Sequence, residues 1–318
     1  MVKQILEKLK GLHFRQEYLC IPYEHFARPL HVYIIIDQKI IAEVTKEHLF
    51  VGYAPLIIVL PLMPDIESQA SLSLSFFPEV AAIGSHVNSQ QQLASLDLKP
   101  LPSPTPHTYQ FFEGLRGHHH FLPLLNRWII RTANQLYKHQ PGNVFLQGNL
   151  YEQVQVAYSV PRIISLITVQ HHQSCNVFPT DLHGEIAGEY IISLRTGGKA
   201  LEQVMESTNI VVAEINALAY KKVYAQGKNH MRATQPRETF EFENEQSQVL
   251  HFDLPKGTVT YRELQLKSSF RHGIHTILIF HILYKDTIRK GISRLSHVHN
   301  AYATWRFNNG WKDNYLLR

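Results

Sequence analysis

The sequence predicts a mainly β protein of α+β composition, its strands closing as a barrel or a sandwich. Three observations carry that prediction. From residue 143 onward, short runs rich in Val, Ile, Tyr and Thr outnumber the helical stretches. No regular crossover helices separate those runs, as a doubly wound parallel sheet would require. Earlier in the chain, "SLSLSFF" alternates apolar and polar residues at the period of a strand with one face buried.

The elements follow in order. "MVKQILEKLKGLHF" spaces Val2, Ile5, Leu6, Leu9 and Leu12 as an amphipathic helix interrupted by lysines, unlike the apolar core of a secretory signal. "PLHVYIIIDQKIIAEVT" reads as two strands around an Asp37–Gln38 turn, and "LIIVLPL" as another strand. Pro100, Pro102, Pro104 and Pro106 make Asp97–Thr108 a linker or an extended surface crossing. A helix is expected from Phe121 to His139, stopped by "QPGN". "VQVAYSV", "RIISLITVQ", "EYIISLR", "NIVVAEINA", "QVLHFDLP", "TYRELQLKSSF" and "GIHTILIFHILYKDTI" read as mostly β, with a short helix at "KALEQVMEST". The expected organisation is an N-terminal α+β region over 1–107, a helical connector over 108–142 and a β domain over 143–318. No internal repeat of fixed period is visible.

Composition bounds the function. Hydrophobic residues are 44% of the 318 and charged residues 18%, ordinary for a folded chain. The formal charge of +5 suits an anionic small ligand. No Lys/Arg run is concentrated enough for a nucleic-acid stripe, so nucleic acid is not the expected partner. Cys20 and Cys175 form no CxxC pair or disulfide framework, and the longest apolar run, "APLIIVLPLM", is too short to span a bilayer as a helix. A reducing, cytoplasmic setting is expected. The three adjacent histidines of "GHHHF" lack the spacing of metal ligands and read as a polar loop or helix start, so no metal is expected. His297 and His299 share one strand face, with no carboxylate near them in sequence.

Two stretches are suited to a polar ligand. In "SLRTGGK", Arg195 and Lys199 flank Gly197 and Gly198, whose amides can approach an anion, and Ser193 adds a hydroxyl. The stretch is not a Walker loop, since Ala200 stands where that motif needs Ser or Thr. A plain glycine turn with solvated bases explains it equally well. "NVFPTDLHG" sets Asn176, Thr180, Asp181 and His183 along irregular backbone, where a heterocycle could pair with exposed N–H and C=O groups or the side chains could simply close a turn.

The order of these elements from about Val154 to Ile288 resembles the flavin reductase-like, FMN-binding split-barrel family. "VPRIISLITV" looks like that family's first barrel strand. "NVFPTDLHG" stands where the family places the segment along the flavin, "EYIISLR" with "TGGKALEQV" looks like the strand and helix near the phosphate, and "GIHTILIFHIL" is similar to its late Gly-Asp-His strand. The sequence departs from the pattern in having no Pro-Pro pair after the first segment and no acidic residue before His275.

The resemblance implies a split β-barrel FMN-binding domain in the C-terminal half, with FAD as the alternative cofactor and NAD(P)H as electron donor. It implies Ser193, Arg195 and Lys199 at the phosphate, and Asn176, Thr180 and Asp181 near the ring or ribityl chain. Backbone from Phe178 to Leu182 would serve the pyrimidine edge, and His183 and His275 would touch flavin or nicotinamide. Lys228, Asn229 and His230 would line the substrate mouth, in a homodimer. The alternatives are a flavin-binding protein without turnover, or an interaction protein that keeps only the barrel.

Overall fold

The computed structural model describes residues 8–62, 72–102, 108–136, 146–171 and 174–316. The expected start of the first helix, Pro104, Pro106 and the "QPGN" stop lie outside them.

Strands β1 (Tyr18–Pro22), β2 (His31–Ile36), β3 (Lys39–Glu43), β4 (Leu49–Tyr53), β5 (Leu56–Pro61), β6 (Leu72–Phe77), β7 (Ala94–Pro100) and β8 (Tyr109–His119) occupy the N-terminal half. Helices α1 (Leu124–Leu136) and α2 (Leu150–Ala157) follow. The C-terminal half then runs through β9 (Arg162–Ile163), β10 (Ser165–His171), β11 (Ser174–Thr180), β12 (His183–Ile186) and β13 (Glu189–Arg195), helix α3 (Lys199–Ser207), β14 (Asn209–Ile215) and helix α4 (Tyr220–Ala225). It ends with β15 (Gln235–Pro236), β16 (Phe242–Gln246), β17 (Asp253–Pro255), β18 (Thr258–His272), β19 (His275–Thr287), β20 (Leu295–His299) and helix α5 (Asn300–Asn308).

The fold is mainly β, as expected. Strands β2–β8 make one seven-stranded sheet in the order β3-β2-β6-β7-β8-β5-β4. An eight-stranded sheet follows the order β12-β13-β19-β18-β14-β10-β11-β15. A small sheet β1-β20-β9 joins strands from near the two ends of the chain. The pairings are antiparallel throughout both large sheets.

The continuous apolar runs have a common cause, which is burial on both faces. In β5, Leu56, Ile58 and Leu60 enter the core of the N-terminal half, while Ile57 and Val59 point the other way. In β13 and β19, Ile192, Leu194, Leu278 and Phe280 fill the interior of the C-terminal sheet, which α3 covers with Ala200 and Val204. Their alternate neighbours Ile191, Ile277 and Ile279 face out and meet Val51, Ile57, Val59, Tyr109 and Phe111. The two halves are therefore joined by an apolar layer that β4, β5 and β8 supply from one side and β12, β13 and β19 from the other.

Several local expectations are corrected. "VQVAYSV" is not a strand, because Val154–Ala157 end helix α2, which packs on β8 and the N-terminal core. The connector expected from 108 begins instead as β8, and His118 and His119 end that strand rather than forming a loop. His119 is fully buried, with Nε2 paired to Gln155 Oε1 at 2.9 Å. Pro100 of the expected linker closes β7. Apart from these corrections, Tyr302 and Arg306 lie buried in α5, where the Arg306 guanidinium stacks 4.0 Å from the Phe26 ring centroid and pairs with Asp313. The Asp37–Gln38 turn is as read. Both residues have positive φ, 49° and 65°, as a tight two-residue hairpin turn demands.

Candidate functional site

Strand β13 ends at Arg195, whose register partner is His275, the first residue of β19. Directly paired residues of antiparallel strands project to the same face. Here that is the face shared with Ser193 and Ile277, toward the N-terminal half. His275 is 1% exposed. The Tyr53 ring stands edge-on to it at 4.7 Å between centroids, and the Tyr53 N–H points at His275 Nε2 from 3.5 Å. With Nε2 accepting there, the ring proton sits on Nδ1, and His275 Nδ1 has no partner. Burial, and then the charge of Arg195, lower the His275 pKa to about 4, so the imidazole is neutral at neutral pH.

The backbone holds this arrangement closely. Thr196 N–H donates to Ile274 O at 2.9 Å, and Ile274 N–H donates to Ala54 O at 3.1 Å, tying the β18–β19 turn to the β4–β5 turn. Gly273 has φ +59°, and a Cβ on it would lie 2.2 Å from Ala54 O. Gly273→Ala is therefore expected to destabilise the fold by about 1–3 kcal/mol. Gly188, at φ +81° with open space around it, is the control, since alanine there meets only backbone strain. Paired thermal melts measure the difference.

Asp181 follows β11 and faces the same region, since both Tyr53 and His275 feel its charge together with that of Arg195. Its Oδ2 accepts from Tyr158 Oη at 2.7 Å and from His297 Nε2 at 2.7 Å, and His297 Nδ1 accepts from Tyr224 Oη at 2.9 Å. Tyr18 stacks on His297 at 5.2 Å. Burial pushes the Asp181 carboxyl up, but the His297 and Tyr158 hydrogen bonds and nearby imidazoles outweigh it and bring the pKa to about 2. Asp181 is a carboxylate in a setting rich in tyrosine and histidine. The carboxylate partner of His297 missing from the sequence around it is this residue, 116 positions away.

Asn176, Phe178, Leu182 and Ser193 are buried. Asn176 Nδ2 donates to Gln203 Oε1 and Asn229 O while its buried Oδ1 has no partner, and Phe178 fills the barrel interior. Ser193 faces the N-terminal half with its Oγ unpartnered, two register positions inward from Arg195 on the same face. Thr180 closes β11 and is 7% exposed. Lys199 opens α3 and pairs with Glu202 at 2.7 Å on the exposed surface. His183 is committed at both nitrogens, to Tyr190 Oη at 2.7 Å and Ile163 O at 3.2 Å.

The expected substrate-mouth stretch does come to the same end of the barrel. His230 Nε2 donates to Pro179 O at 2.7 Å, and the His230 carbonyl and Met231 border Gly198 at the start of α3. Asn229 is buried and bonds Val177 O and Gln226, while Lys228 is exposed. Sequence reading missed Tyr18, Tyr53 and Tyr158, and singled out His297 without its partner Asp181. Among the described residues, no cluster of three or more His, Cys, Asp or Glu side chains is placed to hold a metal ion, and no helix is long and apolar enough to cross a membrane.

No family model matches the chain, and no curated protein matches it either. Solved structures do match about half of it. The NADH:FAD oxidoreductase of Streptomyces globisporus aligns with 51% of this chain and 95% of its own, at TM-score 0.42 and 12% identity. The styrene monooxygenase flavin reductase of Pseudomonas putida aligns with 46% and 92%, at TM-score 0.38 and 14% identity. An FMN-binding protein from Thermus thermophilus aligns with 49% and 82%, at TM-score 0.38 and 12% identity. About half of the chain is similar to flavin reductases of the split-barrel fold.

Proposed function

We propose that this protein binds a flavin, FMN first and FAD as the alternative, and serves as an oxidoreductase of the flavin reductase type with NAD(P)H as donor. The observation that carries the reading is the pair of buried, unpartnered polar groups, His275 Nδ1 and Ser193 Oγ, on the face that ends in Arg195. Buried polar atoms in folded proteins are satisfied in the great majority of cases, and a ligand carrying both acceptor atoms and a phosphate would satisfy these. The family resemblance in the order of the sequence elements supports the same choice.

In this reading Arg195 and the amides of the Gly197–Gly198 turn hold the phosphate by charge-assisted hydrogen bonds. Neutral His275 donates from Nδ1 to an acceptor on the ring system. Thr180 and Asp181 border the polar chain, and Tyr53 closes one side and keeps water out. A bound flavin supplies hydride acceptance, which the protein's groups orient and tune. The hydrogen-bonded series Tyr224–His297–Asp181–Tyr158 offers a route by which a proton reaches or leaves the Asp181 carboxylate.

The test is anaerobic. Protein loaded with FMN and given NADH or NADPH is expected to lose the oxidised flavin's visible absorption in step with the donor added. Loaded protein that keeps its absorption with both donors would reject the reductase assignment and leave a flavin carrier.

A further inference from the structure

The two large sheets share one plan. Taken in chain order, the seven strands β2, β3, β4, β5, β6, β7 and β8 occupy the same sheet positions as β10, β11, β12, β13, β14, β18 and β19. Read from one edge, the first sheet runs β4-β5-β8-β7-β6-β2-β3 and the second β12-β13-β19-β18-β14-β10-β11, each strand beside its counterpart's neighbours. The hairpins fall at the same places, β4–β5 against β12–β13 and β7–β8 against β18–β19. The joint between the halves uses matched strands, since β4, β5 and β8 face β12, β13 and β19. Like surface against like surface is the mark of a two-fold interface.

We propose that the chain is an internal duplication of one barrel unit, packed as a dimer would be within a single chain, and that only one of its two matched clefts holds ligand. This rests on the flavin reading for the identity of the occupant, and it replaces the expected homodimer. The cleft of the C-terminal half has the Arg195–His275 pair, with Tyr53 and Ala54 supplied by the N-terminal half. The matched pair of the N-terminal half, the last residue of β5 and the first of β8, is Pro61 and Tyr109. Neither residue of that pair is a cation. The tyrosine hydroxyl is satisfied by Glu189 of the opposing half, a carboxylate that also pairs with Lys267. A carboxylate repels a phosphate, and no unpartnered donor remains on Tyr109 to seek one. The N-terminal half thus serves as a built-in partner subunit, with Tyr53 as its contribution to the working cleft.

The full chain should therefore be a monomer that binds one FMN. Light scattering after gel filtration gives the mass, and FMN titration of the same sample gives the stoichiometry. Tyr53→Ala is expected to weaken FMN about tenfold, the loss of one close contact, while Tyr109→Phe changes affinity less than about twofold. Thermal melts show whether each variant is folded. Tyr53→Phe, which keeps the ring and the backbone N–H, is expected to retain most of the affinity even if the alanine variant unfolds. A dimer with one flavin per two chains, two equal sites per chain, or FMN binding indifferent to position 53 would overturn the inference while leaving the flavin reading intact. A monomer that binds no FMN would overturn the flavin reading and the one-site proposal with it.

Discussion

Between pH 7 and about 5.5 the protein is expected to lose roughly 6 kcal/mol of stability, enough to exhaust that of an ordinary domain. Five histidines cause this. Burial, the leading cause in each, lowers His48, His119 and His299 to about 3 and His183 and His275 to about 4, from an ordinary 6.5. Arg162 beside His48 and Arg195 beside His275 act in the same direction. An unfolded chain protonates these rings as pH drops through 6.5, whereas the folded chain resists until pH 3–4. The unfolded state therefore binds more protons across that window, and stability falls with pH by up to about 1.4 kcal/mol per unit per group. Asp181 has the depressed acid's dependence, present above the ordinary carboxyl pKa of 3.8 and lost as pH falls toward 2, below this window. Urea unfolding followed by tryptophan fluorescence at pH 7.5, 6.5 and 5.5 measures it. A midpoint that stays constant down to pH 5 would contradict the burial of these rings.

The second large effect is at the joint between the halves. Phe111 is fully buried, edge-on to Phe270 at 5.0 Å and to Tyr109 at 5.7 Å. Phe111→Ala removes a ring from the middle of that layer and is expected to cost about 3–5 kcal/mol, the range for deleting a buried aromatic side chain. The same substitution should loosen the N-terminal half from Gly273 and His275 and so weaken FMN binding, although position 111 does not touch the cleft. Denaturant melts, with and without FMN, separate the two effects. A loss below about 1 kcal/mol would mean that the halves do not pack through this layer.

Much of the C-terminal fold was legible because its strands carry their own signals. β13, α3 and β14 appear in sequence order with apolar runs, a glycine turn and a helix start. Helix α2 was not, because Gln153–Ala157 are buried all round and helical periodicity is erased where no face is solvated. The duplication was also hidden. Its two copies have different connections, with residues 78–93 joining β6 to β7 but 216–257, including α4 and β15–β17, joining β14 to β18. A fixed period cannot survive such an insertion.

At the site, Arg195 and the Gly197–Gly198 turn could be read locally, since a strand, a turn and a helix are contiguous. The partners that give the site its character could not. Tyr53 reaches His275 across 222 positions, and Asp181 meets His297 across 116. Ser193 and Lys199 looked like neighbours of Arg195 in the chain. Strand alternation puts Ser193 on the inward part of the Arg195 face, and the helix start turns Lys199 out to Glu202.

The most direct measurement is FMN binding to the purified full chain, read by the visible difference spectrum, on wild type and Arg195→Ala. Wild type is expected to bind saturably at about one flavin per chain, with binding weakened roughly tenfold or more without the Arg195 guanidinium. Absence of binding at saturating FMN, or binding that Arg195→Ala leaves unchanged, would contradict it.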